Sequence, residues 1–205
     1  MISNGYTVTK KKKTDFIQKL VPTAIILILS SVFLPIFFLG PIQGLIYQPK
    51  GYWLYEPPKS AYVTFIICVL VIAFLLILFA FLASKGAINR ITKSLIVIST
   101  VASIAVIILC FNNYHYVDKE GIHINPLFGF EEKSYSWDEV TEARQTVKVK
   151  MGIMSGDELI LSFNDGNKYA LLLNSNVIKA RVAMYFELEE ERGIKIIYED
   201  AEGQS

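Results

Sequence analysis

Three long stretches of the chain contain no Asp, Glu, Lys or Arg, and they dominate the pattern of apolar and polar positions. Each includes a run of about 18–23 mostly apolar residues, enough for an α-helix to cross the roughly 30 Å hydrocarbon layer of a bilayer. We place the predicted spans near residues 20–40, 61–83 and 92–112. The pattern predicts an integral membrane protein with three transmembrane helices in contact with the lipid bilayer.

The first predicted span contains two prolines, Pro22 near its start and Pro35 inside it. A proline removes one backbone donor and usually kinks a helix, and neighbouring groups can satisfy the freed carbonyl within a membrane. We therefore expect a bent first helix. The alternative is that Pro35 ends the helix early and leaves a re-entrant segment.

After residue 112 the apolar runs give way to short alternating stretches separated by turn signals, which is typical of β-strands. Asn164-Asp-Gly-Asn167 is a strong hairpin signal between two such stretches. Asn174 can cap a helix that runs to about Glu191, and Gly193 can end it. Residues 113–198 are thus predicted to form antiparallel strands closed by one helix. Three side chains from separate parts of this region suit one core: Trp137, Phe163 and Met184.

Charge is divided unevenly along the chain. Residues 1–112 carry 10 Lys or Arg and only two acidic residues, whereas residues 113–205 carry 17 Asp or Glu and 10 Lys or Arg. Nucleic-acid binding requires a basic surface, so we expect no nucleic-acid partner. We divide the chain into a basic N-terminal tail, a three-helix membrane region, a β domain and an acidic tail, at residues 1–19, 20–112, 113–198 and 199–205.

Lysine and arginine residues flank the predicted spans unequally: five precede the first span, two lie in the first connection and three border the second. Cytoplasmic loops carry the excess of these residues, so the N-terminus and the second connection are predicted to be cytoplasmic. Three crossings then place the C-terminal domain outside the cytoplasm of a multi-pass cell-membrane protein. If the proline-containing segment is re-entrant, the domain lies in the cytoplasm instead.

The connection between the first two spans, residues 41–60, is rich in Pro, Gly and aromatic residues. Tyr52, Trp53 and Tyr55 are the candidate partner-binding residues of the chain. Their rings can grip a peptide or lipid, or they can sit at head-group depth as an interfacial aromatic belt. We favour the belt as the simpler interpretation.

The third predicted span has a face of small residues: Ser99, Ala102, Ser103 and Ala105. Small residues let helix backbones approach closely. The short connection before this span predicts an antiparallel hairpin with the second span, so we expect the face to pack within the protein. A homo-oligomer contact through the third span is the alternative.

The sequence offers little catalytic chemistry. No phosphate-binding Gly-rich loop, nucleophile elbow or metalloprotease helix is present. His115 and His123 lack the ligand spacing of a metal site, and Cys68 and Cys110 are interpreted as buried thiols rather than a disulfide. Apart from Lys93 at the edge of the third, no charged residue lies inside a span, which argues against an ion-coupled transporter. We therefore predict no catalytic residue, no cofactor and no metal ligand, and do not expect an enzyme.

Two stretches of the β domain carry a family resemblance. They are Tyr116-Val-Asp-Lys-Glu-Gly-Ile122, a strand, a turn and a Gly-Ile restart, and Tyr135-Ser-Trp-Asp-Glu-Val140. With the terminal helix, they resemble the bacterial pleckstrin-homology-like (PH-like) domains, many of which are attached to membranes. The resemblance covers residues 113–198 and implies a partially open barrel capped by one α-helix, used for binding or assembly and not for catalysis. Phosphoinositide binding needs a basic cluster, and Lys148 and Lys150 stand almost alone, so we do not expect it.

These observations favour a non-enzymatic membrane protein that presents a PH-like module to a protein or peptide partner. Membrane-complex assembly, regulation, and immunity to a membrane-active peptide are roles that fit such a module. The alternative hypothesis is an accessory subunit of a transporter or secretion complex.

Overall fold

The computed structural model describes residues 5–47, 49–129, 131–150 and 153–200. The first residues of the predicted basic tail and residues 201–205 of the predicted acidic tail lie outside the described residues. The chain forms two compact units. The helical unit contains residues 5–47 and 57–113, and the β unit contains residues 49–56 and 114–200.

The helical unit consists of four helices: α1 (Gly5–Ser30), α2 (Phe33–Ile46), α3 (Lys59–Ser84) and α4 (Arg90–Phe111). Helices α3 and α4 are each long and apolar enough to cross a membrane. The pair α1 and α2 passes the same test together from Ile17, as one bent segment. The described residues therefore supply two membrane-spanning helices, or three if the bent pair is one span.

The bend predicted in the first apolar segment is present, and its position has a steric cause. The axes on either side of the break differ by 67°, and the break falls at Ser31 and Val32 rather than at Pro35. Pro35 is the third residue of α2, where its missing N–H would have no helical partner, but its ring excludes the carbonyl of Ser31, four positions earlier. Pro22 and Pro41 lie inside α1 and α2 without ending them.

Helix α3 is the centre of the helical unit, because it packs against both α1 and α4. It buries mostly small side chains, which allow close helix approach: Ala61, Phe65, Cys68, Val69, Ala73 and Ala80. Helix α4 buries only Ser103 and Cys110. Of the small-residue face, Ser103 alone is buried, and the other three residues are exposed.

A buried amide ties the ends of these helices together. Gln43 is 0% exposed, and its Nε2 donates to the carbonyls of Cys110 at 3.0 Å and Asn113 at 2.9 Å. The Asn113 amide in turn donates to Ser60 Oγ at 3.3 Å, so α2, α3 and α4 share one polar cluster. Cys68 and Cys110 are free thiols.

The β unit consists of two four-stranded sheets and one helix. Sheet A is antiparallel in the order β1 (Leu54–Glu56), β2 (Tyr114–Val117), β3 (Gly121–Asn125), β4 (Lys133–Ser136). Sheet B has the order β7 (Lys168–Leu172), β6 (Ile153–Phe163), β5 (Val140–Lys150), β8 (Ile196–Asp200), with β8 parallel to β5. Helix α5 (Ser175–Phe186) continues into a wider π-helical turn, Glu187–Glu191.

The sequence predicts a partially open barrel, and the structure shows two sheets in this region. No strand of sheet A pairs with a strand of sheet B in the part of the chain that the structure describes, so the barrel is not closed. A single 3-10 turn at Trp137–Glu139 carries the chain from β4 to β5, and Ser136 and Glu139 cap it reciprocally. The predicted helix is present, because the Asn174 side chain accepts from the N–H groups of Asn176 and Val177.

One hydrophobic core fills the β unit, as the sequence predicted. Trp137, Phe163 and Met184 are all buried in the same cluster. The indole of Trp137 is 1% exposed and donates from Nε1 to the Asp118 carbonyl at 3.0 Å, which satisfies its one polar group. Gly121 adopts φ +154° where a Cβ would lie 2.0 Å from the Tyr135 carbonyl, so only glycine fits there.

Strand β1 comes from the connection between α2 and α3. The Trp53 N–H donates to the Val117 carbonyl at 2.8 Å, and Leu54 and Tyr55 pair with Val117 and Tyr116. The β unit is therefore discontinuous in sequence: 49–56 form one part, 114–200 the other, and α3 and α4 lie between them along the chain.

Candidate functional site

The face of sheet A that points away from the core carries a row of aromatic side chains. Strand alternation directs His115 and Val117 of β2 to the buried side and leaves Tyr114 and Tyr116 half-buried on the other. The strand registers align one row across all four strands: Tyr55, Tyr116, His123 and Ser134. We call the set Tyr52, Tyr55, Tyr114, Tyr116, His123 and Glu132 the tyrosine face.

The rings of the tyrosine face form a continuous array. Centroids lie 6.0 Å apart for Tyr52 and Tyr55, and 5.6 Å apart for Tyr55 and Tyr114. Tyr114 and Tyr116 follow at 6.4 Å, and Tyr116 stacks on the His123 imidazole at 4.2 Å with planes 7° apart. Such cross-strand pairs stabilise a sheet by about 0.2–1 kcal/mol each and also present a large rigid apolar surface.

Glu132 fixes the centre of this face. Its carboxylate accepts from the Tyr116 hydroxyl at 3.0 Å and from the Tyr114 hydroxyl at 3.4 Å. Burial, followed by the hydrogen bond to Glu132, raises the pKa of Tyr116 above its ordinary value. The hydroxyl therefore stays protonated and donating at any physiological pH.

His123 sits between two carboxylates. Its Nδ1 lies 3.2 Å from Glu132 Oε1 and 2.9 Å from Ser134 Oγ, and its Nε2 lies 3.4 Å from Asp118 Oδ1. Asp118 also accepts from the N–H groups of Glu120 and Gly121, so it holds the β2–β3 turn. Across the described residues, no group of three or more His, Cys, Asp or Glu side chains is arranged to hold a metal ion.

The structure separates the three candidate residues read from the sequence. Tyr52 and Tyr55 belong to the tyrosine face, whereas Trp53 packs against the core and stacks on Trp137, with centroids 6.0 Å and planes 29° apart. The belt interpretation did not foresee that Tyr55 lies in a β-strand, with Tyr52 and Trp53 directly before it.

Sequence reasoning missed the residues that complete this face. Tyr114 and Tyr116 have a readable signal, because two tyrosines at strand spacing share one side. Their contact with Tyr55 has no signal in the sequence, because two long helices separate β1 from β2 along the chain. Glu132 lies in the β3–β4 connection, where spacing carries no information about side-chain direction.

A second polar cluster is buried on the core side of β1. His115 Nε2 lies 3.5 Å from Glu56 Oε1, close enough for an ion pair but without hydrogen-bond geometry. The Glu56 carboxylate accepts from the Asn174 amide at 2.8 Å, and the His115 ring meets the Tyr169 ring edge-on at 5.5 Å. Burial, with the charge of Glu56, raises the pKa of Tyr169. The cluster joins β1 to α5 and β7, which is a structural role.

A shallow cavity of about 250 Å³ opens beside β3, β4 and the β6–β7 turn. Its lining includes Tyr135 and Phe163, whose rings stack with centroids 4.0 Å apart, and the lysines Lys133 and Lys168. It brings together no nucleophile with a base.

No family model, no curated protein and no solved structure matches this chain.

Proposed function

We propose that this chain is a membrane-anchored, non-catalytic binding protein whose β unit holds a protein or peptide partner on the tyrosine face. One observation carries the proposal: five rings from three strands and the segment before them form one array on the side of sheet A away from the core. Aromatic residues, tyrosine and tryptophan above all, are enriched where proteins bind one another. A sheet face that only contacts water would need polar side chains and no aromatic array.

The order of the elements supports a PH-like module. Four antiparallel strands are followed by three more antiparallel strands and then by a helix. That helix and its terminal turn cover the core with buried side chains: Val177, Ala180, Met184 and Leu188. In the family, such modules bind or assemble proteins, and we extend that role to the β unit.

Binding explains the polar groups of the face better than catalysis does. Catalysis needs a base or nucleophile within reach of a reacting atom. Here Glu132, Asp118 and His123 are engaged with one another and with the two tyrosines, and they fix ring positions.

For the membrane part we propose three spans, with the bent pair α1 and α2 as the first. The excess of Lys and Arg before the first span and around the second connection supports a cytoplasmic N-terminus and an extracytoplasmic β unit.

The second candidate is an accessory subunit of a transporter or secretion complex, and the surface of α4 favours it. Ser99, Ala102 and Ala105 are exposed in this chain. Small residues on an exposed apolar helix allow another helix to dock closely within the bilayer. A second copy of this chain or a permease would occupy that surface.

Co-purification from native membranes tests the proposal. Tyr55→Ala removes a ring from the array, and Tyr198→Ala removes a tyrosine that is 61% exposed on β8, outside the face. We expect a stoichiometric partner to be lost with Tyr55→Ala and retained with Tyr198→Ala. Equal retention in both variants contradicts the proposal, and loss with Ala102→Leu alone favours the subunit.

A further inference from the structure

We infer that the partner of the tyrosine face is cationic: it places an arginine or lysine side chain against the Tyr116–His123 pair, beside the carboxylates of Glu132 and Asp118. This inference rests on the proposed function and names the chemistry of its partner.

The ring array offers aromatic surface to a cation. A cation is attracted to an aromatic face within about 6 Å of the ring centroid, and tyrosine is a good acceptor. Neighbouring centroids from Tyr55 to His123 are 4.2–6.4 Å apart. Tyr116 and His123 leave no room between their rings, because their centroids lie 4.2 Å apart with planes 7° apart, so a guanidinium approaches this pair from outside, beside Glu132.

Among the described residues, no Lys or Arg forms an ion pair with the carboxylates beside the array. Glu132 and Asp118 have side chains that are 32% and 18% exposed, so their oxygens remain accessible. His123 is the one basic side chain within ion-pair distance of either group among the described residues. The ion pairs that Arg144, Lys148 and Arg192 form lie in sheet B, in the turn after α5 and at Asp138.

The net negative charge of the C-terminal part of the chain also favours a cationic partner. The C-terminal part of the chain carries seven more acidic than basic residues, including the exposed Glu120 and Glu131 near this face. Such a field attracts cationic segments over long range and repels phosphates and acidic peptides. Lys119, in the β2–β3 turn, is outnumbered by these acids.

The test uses the full chain in nanodiscs of zwitterionic phosphatidylcholine, with empty nanodiscs as background. One probe is an acetylated, amidated Gly-Ser peptide carrying several arginines; the other replaces each arginine by citrulline, which has the same shape without the charge. We expect the arginine peptide to bind about tenfold more tightly or better. Equal binding of the two peptides, or no binding of the arginine peptide at millimolar concentration, overturns the inference.

Matched variants localise the effect. Glu132→Gln and Glu190→Gln remove the same charge, one from the tyrosine face and one from the exposed turn after α5. We expect Glu132→Gln to weaken the arginine peptide about five- to tenfold and Glu190→Gln less than about twofold. Equal losses point to unspecific charge attraction and contradict the site. A circular dichroism melt confirms that both variants are folded.

The two proposals fail differently. If Tyr55→Ala abolishes co-purification of the native partner while the arginine and citrulline peptides bind alike, the binding face stands and its cationic preference is wrong. If Tyr55→Ala leaves co-purification unchanged and neither peptide binds, both are wrong.

Discussion

The two units of this protein place apolar and polar side chains in opposite ways. In the helical unit, large apolar residues cover the surface, as Phe37 does at 69% exposed, while Gln43 and Asn113 are buried. In the β unit, apolar residues from both sheets and α5 form the buried core. The hydrophobic effect accounts for both arrangements, because apolar side chains on the surface of the helical unit suit the apolar interior of a bilayer.

The units also differ in how far apart along the chain their stabilising contacts lie. Each helix satisfies its backbone locally, and Gln43 adds one distant polar tie. Sheet A includes β1, which pairs with β2 although α3 and α4 lie between the two strands in the sequence. The β unit is therefore sensitive to a short segment that hydropathy alone assigns to a loop.

The largest expected effect follows removal of the centre of the β core. Trp137→Ala deletes a buried ring that stacks on Trp53 and bonds the Asp118 carbonyl. It should cost about 3–5 kcal/mol, enough to unfold the β unit while the helical unit stays in the membrane. Denaturant unfolding followed by tryptophan fluorescence measures this. Phe128→Ala, at a site 74% exposed, is the control and should stay within about 0.5 kcal/mol.

A smaller effect tests whether β1 belongs to the β unit. Leu54 is buried in the β core, whereas Val63 of α3 is exposed. Leu54→Ala should destabilise the β unit by about 2–3 kcal/mol, and Val63→Ala should change it little. Thermal unfolding in detergent makes the comparison. Identical melting curves for the two variants contradict a discontinuous β unit.

The polar cluster of the helical unit should matter less. Gln43→Leu leaves the carbonyls of Cys110 and Asn113 without this donor. Hydrogen bonds between membrane helices contribute about 0.6–2 kcal/mol, so we expect a loss in that range. Unfolding in mixed SDS micelles measures it. A gain in stability rules out the amide as a tie between α2 and α4.

The smallest effect appears at high pH. Burial raises the pKa of Tyr185 from 10.0 to about 12, and its hydroxyl donates to Gln145 Oε1. The folded chain thus holds this proton more tightly than the unfolded chain, so the contribution is complete below pH 10 and is lost as pH rises through about 12. Between about pH 10 and 12, the free energy of unfolding of Tyr185→Phe should fall less steeply than that of the unchanged protein. Parallel unfolding curves of the two proteins against pH contradict it.

Hydropathy and turn chemistry predicted the elements whose causes are local. The second and third apolar runs form helices long and apolar enough to cross a membrane, the first forms a bent pair of helices, and Asn174 caps the predicted helix. The bend was predicted at the prolines, but it lies at Ser31, because the ring of Pro35 clashes with the helical position of the carbonyl four residues earlier. Strand β1 and the tyrosine face depend on pairing across some sixty residues, for which one sequence carries no signal.

A strand from the connection between α2 and α3 completes sheet A, and we propose that the aromatic face of this sheet binds a partner. Photocrosslinking from benzoylphenylalanine at Tyr55, compared with the same probe at Tyr198 and Ala102 in intact membranes, tests it most directly. We predict a discrete protein or peptide adduct from Tyr55 and none from Tyr198. Adducts from Tyr198 or Ala102 with none from Tyr55 would contradict the claim.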